Sequence, residues 1–266
     1  RDVKYWGGAA QPWRNGTTDA PLDAPPEVIA EEEQARAAAQ AEDRARCPTA
    51  EAHATMLHGC ALRSDFLFAL TFALNLWHWE TWMVVQFIIK PATEGFGRCR
   101  FADLPFVKPY TGPATVFVSH CWNASWGDLV AAACAGGRMD RFTWIDIAAV
   151  RQWPGNDADL DFQAVVRKCR ALLVAAAPVP GIVSAKVMVE EKERTAYLAS
   201  LEYKKAAKRV AFCRLWCVVE LYAGLQAGLP IVFRGSVARF HPAHGGSVTV
   251  SSGEAASNML FNFSEM

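Results

Sequence analysis

The chain has 266 residues, with lysine plus arginine (27) equal to aspartate plus glutamate (27), hydrophobic residues at 52% and charged residues at 20%. This is a globular composition with material for a core, and the length allows one or two domains. Charge balance excludes a basic nucleic-acid footprint, and the run Lys204, Lys205, Lys208, Arg209 reads as a solvated helix face. Residues 1–26 are rich in Gly, Pro, Asn and Thr and predict an irregular strap. Pro25-Pro26 introduces Glu27 to Arg46, a helix by propensity that has almost no large apolar residues and therefore needs a partner to lie on. Segment 64–91 is the most apolar part, but Asn75, His78, Glu80 and Gln86 interrupt it. It predicts two short helices, from about Phe66 and from about Trp82, with Thr81 as N-cap and Pro91 as the stop. They pack on the next domain, with a membrane-surface element or a true span as alternatives.

From Thr115 the pattern changes. Apolar β-branched runs at 114–118, 142–147, 171–177 and 230–233 predict buried parallel strands. Between them lie helical stretches at Asp128 to Ala135 (ending at Gly136-Gly137), Asp157 to Arg170, a charged insertion Glu190 to Arg209, and Ala211 to Ala227 (ending at Gly228). This alternation predicts an α/β fold with a doubly wound parallel sheet, preceded by the strap and helices. The segments are 1–63 (strap and Ala/Glu-rich helix), 64–110 (apolar helices) and 111–266 (the α/β domain). Loops at the carboxyl ends of the strands then gather Ser119-His120-Cys121-Trp122, Asp146 to Gln152 and Pro178 to Gly181 around one crevice.

Eight cysteines, mostly in apolar segments, behave as small hydrophobes and predict an intracellular, reducing compartment. A membrane-associated or organellar placement stays open. No pair has CxxC spacing, and Cys213 with Cys217 lacks a second ligand pair, so no metal site is expected. No GxGxxG or Walker loop follows the first strand, which argues against a plain flavodoxin-like nucleotide binder. The chain begins at Arg1 and not at Met, so either something was removed or only part of a longer product is present, and what remains shows no signal peptide.

The stretch T-V-F-V-S-H (115–120) is similar to box 1 of TIR (Toll/interleukin-1 receptor) domains, F-T-W-I-D-I (142–147) resembles their second strand, and A-L-L-V (171–174) fits the third. R-L-W-C-V-V-E-L (214–221) followed by G-L-P-I-V-F resembles the W-C-x-x-E helix and next strand of plant-type members. The combination of S-H-C-W, W-I-D-I, L-W-C-x-x-E and I-I-x-P-x-T (88–93) looks closest to a divergent algal and protist group. Thr115 replaces the usual box 1 Asp, the insertion at 184–209 is long, and the tail after Gly235 supplies no clear last strand and helix, so the resemblance implies that more chain follows Met266.

The resemblance implies a flavodoxin-like topology and cleavage of the nicotinamide–ribose bond of NAD as substrate, without a cofactor. Glu220 takes the catalytic position, Trp216 packs beside the nucleotide, Ser119 and His120 hydrogen-bond ribose or phosphate, and Asp146 leads into the variable loop. Each has a structural alternative. Trp216 is then core, His120 caps the strand, Asp146 anchors its loop, and Glu220 forms a buried pair with Arg214 or Arg234. The competing function is a non-catalytic interaction or scaffold subunit of a larger assembly. It would self-associate or bind protein partners through the strap and helices, with membrane contact through 66–89 and no nucleic acid.

Overall fold

The structure is a computed structural model that describes residues 26–134, 137–153, 156–176, 191–201, 203–204, 214–241 and 247–252. The strap, Gly136, Pro178 to Gly181, Lys205, Lys208, Arg209, Cys213 and the tail beyond residue 252 lie outside the described residues.

Pleated strands send alternate side chains to opposite faces, and the parallel strands use both. In β3 (Val116–Ser119), Val116 and Val118 enter one buried cluster and Phe117 enters another. In β5 (Ala171–Ala175), Leu173 and Ala175 go to the first cluster, Leu172 and Val174 to the second. With β4 (Phe142–Trp144) and β6 (Ile231–Arg234), these strands form the parallel part in the order β4-β3-β5-β6. The fold is mixed α/β with helices on both faces of a six-stranded, mostly parallel sheet, as the alternating pattern predicts.

The first face is covered by α3 (Ser64–Ala73), α6 (Trp126–Cys134) and a helical run of α4 (Thr81–Val84), a π turn (Val85–Ile89) and α5 (Lys90–Glu94). The second carries α2 (Ala50–His58), α8 (Phe162–Lys168) and α10 (Leu215–Gln226). The other helices are α1 (Pro26–Arg46) at the start, α7 (Asp146–Ala149) after β4 and α9 (Glu191–Ala199) before α10. On the second face Phe117 stacks on the fully buried Trp144 at 4.7 Å, and Trp144 Nε1 donates to Leu57 O at 2.9 Å. Truncating either ring to Ala would cost about 3–5 kcal/mol. On the first face the approach is close enough that a Cβ on Gly127 would stand 2.3 Å from Trp77 O, which explains a glycine inside α6.

Several expectations are corrected. The edge of the sheet is extended by two antiparallel strands, β1 (Ala61–Arg63) and β2 (Thr111–Gly112), too short to leave a periodic signal. Residues before 64 and after 110 therefore meet in one sheet. Pro91 does not stop its helix. It sits at the start of α5 after the π turn, whose wider hydrogen-bond spacing accommodates a residue without an N–H. Thr81 is the first helical residue and Glu80 is the cap. The second strand ends at Trp144, and Ile145-Asp146-Ile147 turn into α7. The tail after Gly235 does pair, as a hairpin of β7 (Ser236–His241) and β8 (Ser247–Ser252), whose Ala238 N donates to Asp128 Oδ1 of α6 at 2.9 Å. Helix α10 ends as expected, with Gly228 at φ +65° and its N–H on Leu225 O. No helix among the described residues is long and apolar enough to cross a membrane. Seven described cysteines are free thiols.

Candidate active site

Ser119 has the parity of Phe117, so it ends β3 on the face covered by α10. Cys217 and Glu220 are three residues apart on α10 and both are buried, which turns them toward that strand end. Cys217 Sγ approaches His120 O at 3.3 Å. From the neighbouring strand, α7 brings Asp146 beside them, with Asp146 Oδ1 3.6 Å from His120 Nε2. Trp122 Nε1 donates to Asp146 Oδ2 at 2.9 Å, and the Ile147 amide donates to Asp146 Oδ1 at 2.6 Å. The structure thus brings together Glu220, Ser119, His120 and Asp146. Trp216 stands apart, with its ring edge-on to Phe162 at 5.7 Å beside the second core cluster. Pro178 to Gly181, expected around the same crevice, lies outside the described residues.

The electrostatics of this corner are unusual. Glu220 is only 6% exposed, and among the described residues it makes no ion pair, neither with Arg214 nor with Arg234. Burial pushes its carboxyl up to about 8; the nearby Ser119 hydroxyl and the Arg214 charge pull down, and the Asp146 charge pushes further up. The Ser119 approach is not an aligned hydrogen bond, for among the described residues Ser119 Oγ and Glu220 Oε2 both lack a partner, as do His120 Nε2 and Gln152 Oε1. Burial also lowers the His120 pKa against the pull of Asp146, so its imidazole is neutral, and burial raises the Cys217 thiol well above its usual value. Buried polar atoms are normally satisfied. Four unsatisfied ones near one strand edge, next to a protonated acid and a neutral base, form a site that can donate, accept and exchange a proton.

A second cluster escaped the sequence reading. Asp43 of α1 (Pro26–Arg46) is the one buried residue among that helix's described side chains. It accepts from Arg151 Nη1 and Nη2, and from Arg100 Nη2 at 3.1 and 3.2 Å. Arg100 Nη2 also donates to Asp159, whose Oδ2 accepts from the Arg151 amide at 3.0 Å. His53 Nε2 lies 3.3 Å from Asp159 and 3.8 Å from Asp43, close enough for charge pairing although not aligned as a hydrogen bond. The Asp159 and Asp43 carboxylates raise the His53 pKa to about 9 against burial. Burial pushes the Asp43 and Asp159 carboxyls up, but His53 and the two guanidiniums outweigh it and hold both below the usual carboxylate range. The donor atoms of Asp43, His53 and Asp159 lie within 4.8 Å of one another, a possible metal set. The two guanidiniums already occupy the carboxylates, so the cluster fits an ion network better than a cation site. No sequence signal separates Asp43 from its acidic neighbours on α1.

Comparison with protein-family models, with curated proteins and with solved structures gives no match.

Proposed function

We propose that the protein is a TIR-like hydrolase that cleaves the nicotinamide–ribose bond of NAD, with Glu220 as the catalytic carboxylate. One observation carries the reading: among the described residues Glu220 is buried without an ion pair, at the strand edge that also holds Ser119 and His120. The nicotinamide ring of the substrate is cationic, and positive charge moves onto the ribose as the bond breaks. A buried acid with no cation of its own complements both states, most strongly the second. The bonding pair leaves with the nicotinamide nitrogen, which becomes neutral. Water attacks the anomeric carbon and loses a proton, giving ADP-ribose.

Before substrate arrives, Glu220 is mostly protonated at neutral pH, given a pKa of about 8. The cationic ring favours the ionised form, so the proton leaves on binding. Neutral His120 and Ser119 have free hydrogen-bonding capacity for ribose hydroxyls. Asp146 is occupied by Trp122 and serves to hold the loop. The test is nicotinamide release from NAD by concentrated protein, followed by chromatography with Glu220→Gln alongside. Release that disappears in the variant supports the reading, and equal release by both sinks it.

A second reading, a non-catalytic scaffold subunit, is favoured by one observation. Leu215, Val218, Tyr222 and Leu225 are exposed along one face of α10, at helical spacing. Solution mass of the protein and of Leu215→Glu discriminates: a concentration-dependent oligomer that the variant abolishes supports scaffolding, and a monomer in both counts against it.

A further inference from the structure

Helix α1 has a puzzling energetics. Its sequence PEVIAEEEQARAAAQAEDRAR offers little apolar surface, and among its described side chains only Asp43 is buried. A helix of this kind gains little from packing, so what seats it on the body is the Asp43 carboxylate, inserted between Arg100 and Arg151. A second ion pair to the body, Arg46 to Asp103 at 3.9 Å, is long and part-exposed, and such pairs contribute about 0–1 kcal/mol.

Arg151 is not a remote partner. It terminates the segment that begins at Asp146. Val150 N donates to Asp146 O at 2.9 Å, and Gln152 Nε2 donates to both Asp146 O and Val150 O. The Arg151 carbonyl accepts from Asn156 Nδ2 at 2.8 Å and its amide donates to Asp159. The side chain that Asp43 grips therefore belongs to the segment whose other end presents Asp146 to His120 and Trp122. We infer that Asp43 is a positioning residue: by holding Arg151 it fixes the Asp146–Gln152 segment, and it makes the geometry of the candidate site conditional on α1 being seated. The inference rests on the assignment of the site to these strand ends, but not on the identity of the substrate.

The charge count explains why the coupling is steep. The cluster holds two guanidiniums, the Asp43 and Asp159 carboxylates and a charged His53, and Arg100 Nη1 also reaches the half-buried Asp103 at 3.4 Å. Without Asp43, Arg100 keeps Asp159 and Asp103, but the Arg151 guanidinium keeps no carboxylate within ion-pair distance among the described residues, and Arg151 is the member on a loop and free to move out toward water.

The experiment uses the full chain and no NAD. Amide hydrogen exchange is measured by NMR for wild type, Asp43→Asn and Arg151→Lys, together with the Trp122 indole resonance (assigned with Trp122→Phe), which reports the bond to Asp146. In both Asp43→Asn and Arg151→Lys the expected result is at least about tenfold faster exchange at Ile147 to Gln152 and a shifted Trp122 indole, with β3 and β5 still protected. Faster exchange confined to α1, with the 147–152 amides and the indole unchanged, overturns the inference. Loss of protection across β3 and β5 in both variants also overturns it, since the cluster would then support the whole fold and not the loop. A protein that fails to cleave NAD leaves this result intact, so failure of the proposed activity and failure of the coupling are distinguishable.

Discussion

Two buried charged regions lie at the two ends of one segment, and they are built on opposite rules. Around Arg151, the Asp43 and Asp159 carboxylates each face guanidinium groups and His53, so every buried charge there has an opposite charge beside it, although Arg100 Nε and His53 Nε2 make no aligned hydrogen bond among the described residues. Around Asp146, Glu220 is buried with no ion pair and neighbouring polar atoms have no hydrogen-bond partner among the described residues. Compensated burial holds structure in place. Uncompensated burial costs stability and is tolerated where a ligand completes it. The contrast is the ground for the two proposed roles, positioning around Arg151 and reaction around Asp146.

The largest effect should come from breaking the compensated cluster. Asp159→Ala removes a carboxylate with no solvent exposure and leaves Arg100, Arg151 and His53 crowded on Asp43, with only the half-buried Asp103 to help Arg100 among the described residues. Chemical denaturation should register a loss of about 3–5 kcal/mol. A loss under about 1 kcal/mol would place the cluster among ordinary surface pairs and erase the comparison.

The next effect is on turnover. Glu220→Gln should lower nicotinamide release by about 100-fold or more, while the protein becomes more stable. The sign follows from the folded-state pKa of about 8, above the ordinary 4.5. A raised carboxyl costs nothing at low pH, and the cost grows as pH climbs past 4.5 and is complete above 8. The variant should therefore gain on the order of 2 kcal/mol at pH 8.5 and nothing at pH 4.5. Equal stability of both proteins at pH 8.5 would mean that Glu220 is compensated by groups outside the described residues.

The same contrast decides what could be read in the sequence. The sheet was legible because Val116 to Ser119 and Ala171 to Ala175 are apolar, β-branched or small on both faces, which only a two-sided buried strand requires. Ser119, His120 and Asp146 were legible as strand-end residues, and Glu220 as a lone carboxylate in FCRLWCVVELYAGL. β1, three residues long, was not, because its pairing with β4 is decided by partners 79 residues or more away, Arg63 with Phe142 and Leu62 with Thr143. Asp43 was not, because an aspartate on an Ala/Glu/Arg-rich helix looks solvated until Arg100 and Arg151 arrive from 57 and 108 positions downstream. Trp216 shows the limit of helical spacing. It lies four residues before Glu220, yet its ring packs edge-on to Phe162 of the neighbouring α8.

A smaller effect sharpens the boundary between the two regions through pH. His53 is raised to about 9 by Asp159 and Asp43, so its contribution is full below the ordinary 6.5 and is lost as pH rises through 9. Asp43 and Asp159 are held low, so theirs is full above the ordinary carboxylate range and is lost in acid. The cluster thus favours the folded state most between about pH 5 and 6.5. His53→Gln should remove on the order of 2 kcal/mol at pH 6 and almost nothing at pH 10. It should flatten the decline between 6.5 and 9, whereas Glu220→Gln flattens the decline between 4.5 and 8. If both variants flatten the same interval, the two regions titrate as one unit, and the distinction between them fails.

The smallest effect falls on a bond at the Asp146 end of the segment. Trp122→Phe keeps the ring and removes the donor to Asp146 Oδ2 at 2.9 Å. A hydrogen bond to a carboxylate is worth about 1.5–3 kcal/mol when buried, and part-exposure places this one near or below the lower end, at about 1 kcal/mol of global stability. Its value as a test lies elsewhere. Asp146 retains the Ile147 amide, so the carboxylate is not lost but is free to turn about its remaining bond toward His120. A negative charge nearer the imidazole stabilises its protonated form, and the His120 pKa, lowered by burial in the intact protein, should rise toward the ordinary value. Imidazole resonances followed by NMR titration check this. An upward move confirms that Trp122 keeps Asp146 from charging His120. An unchanged His120 would show that burial alone sets its state, and Trp122 would then hold only the loop.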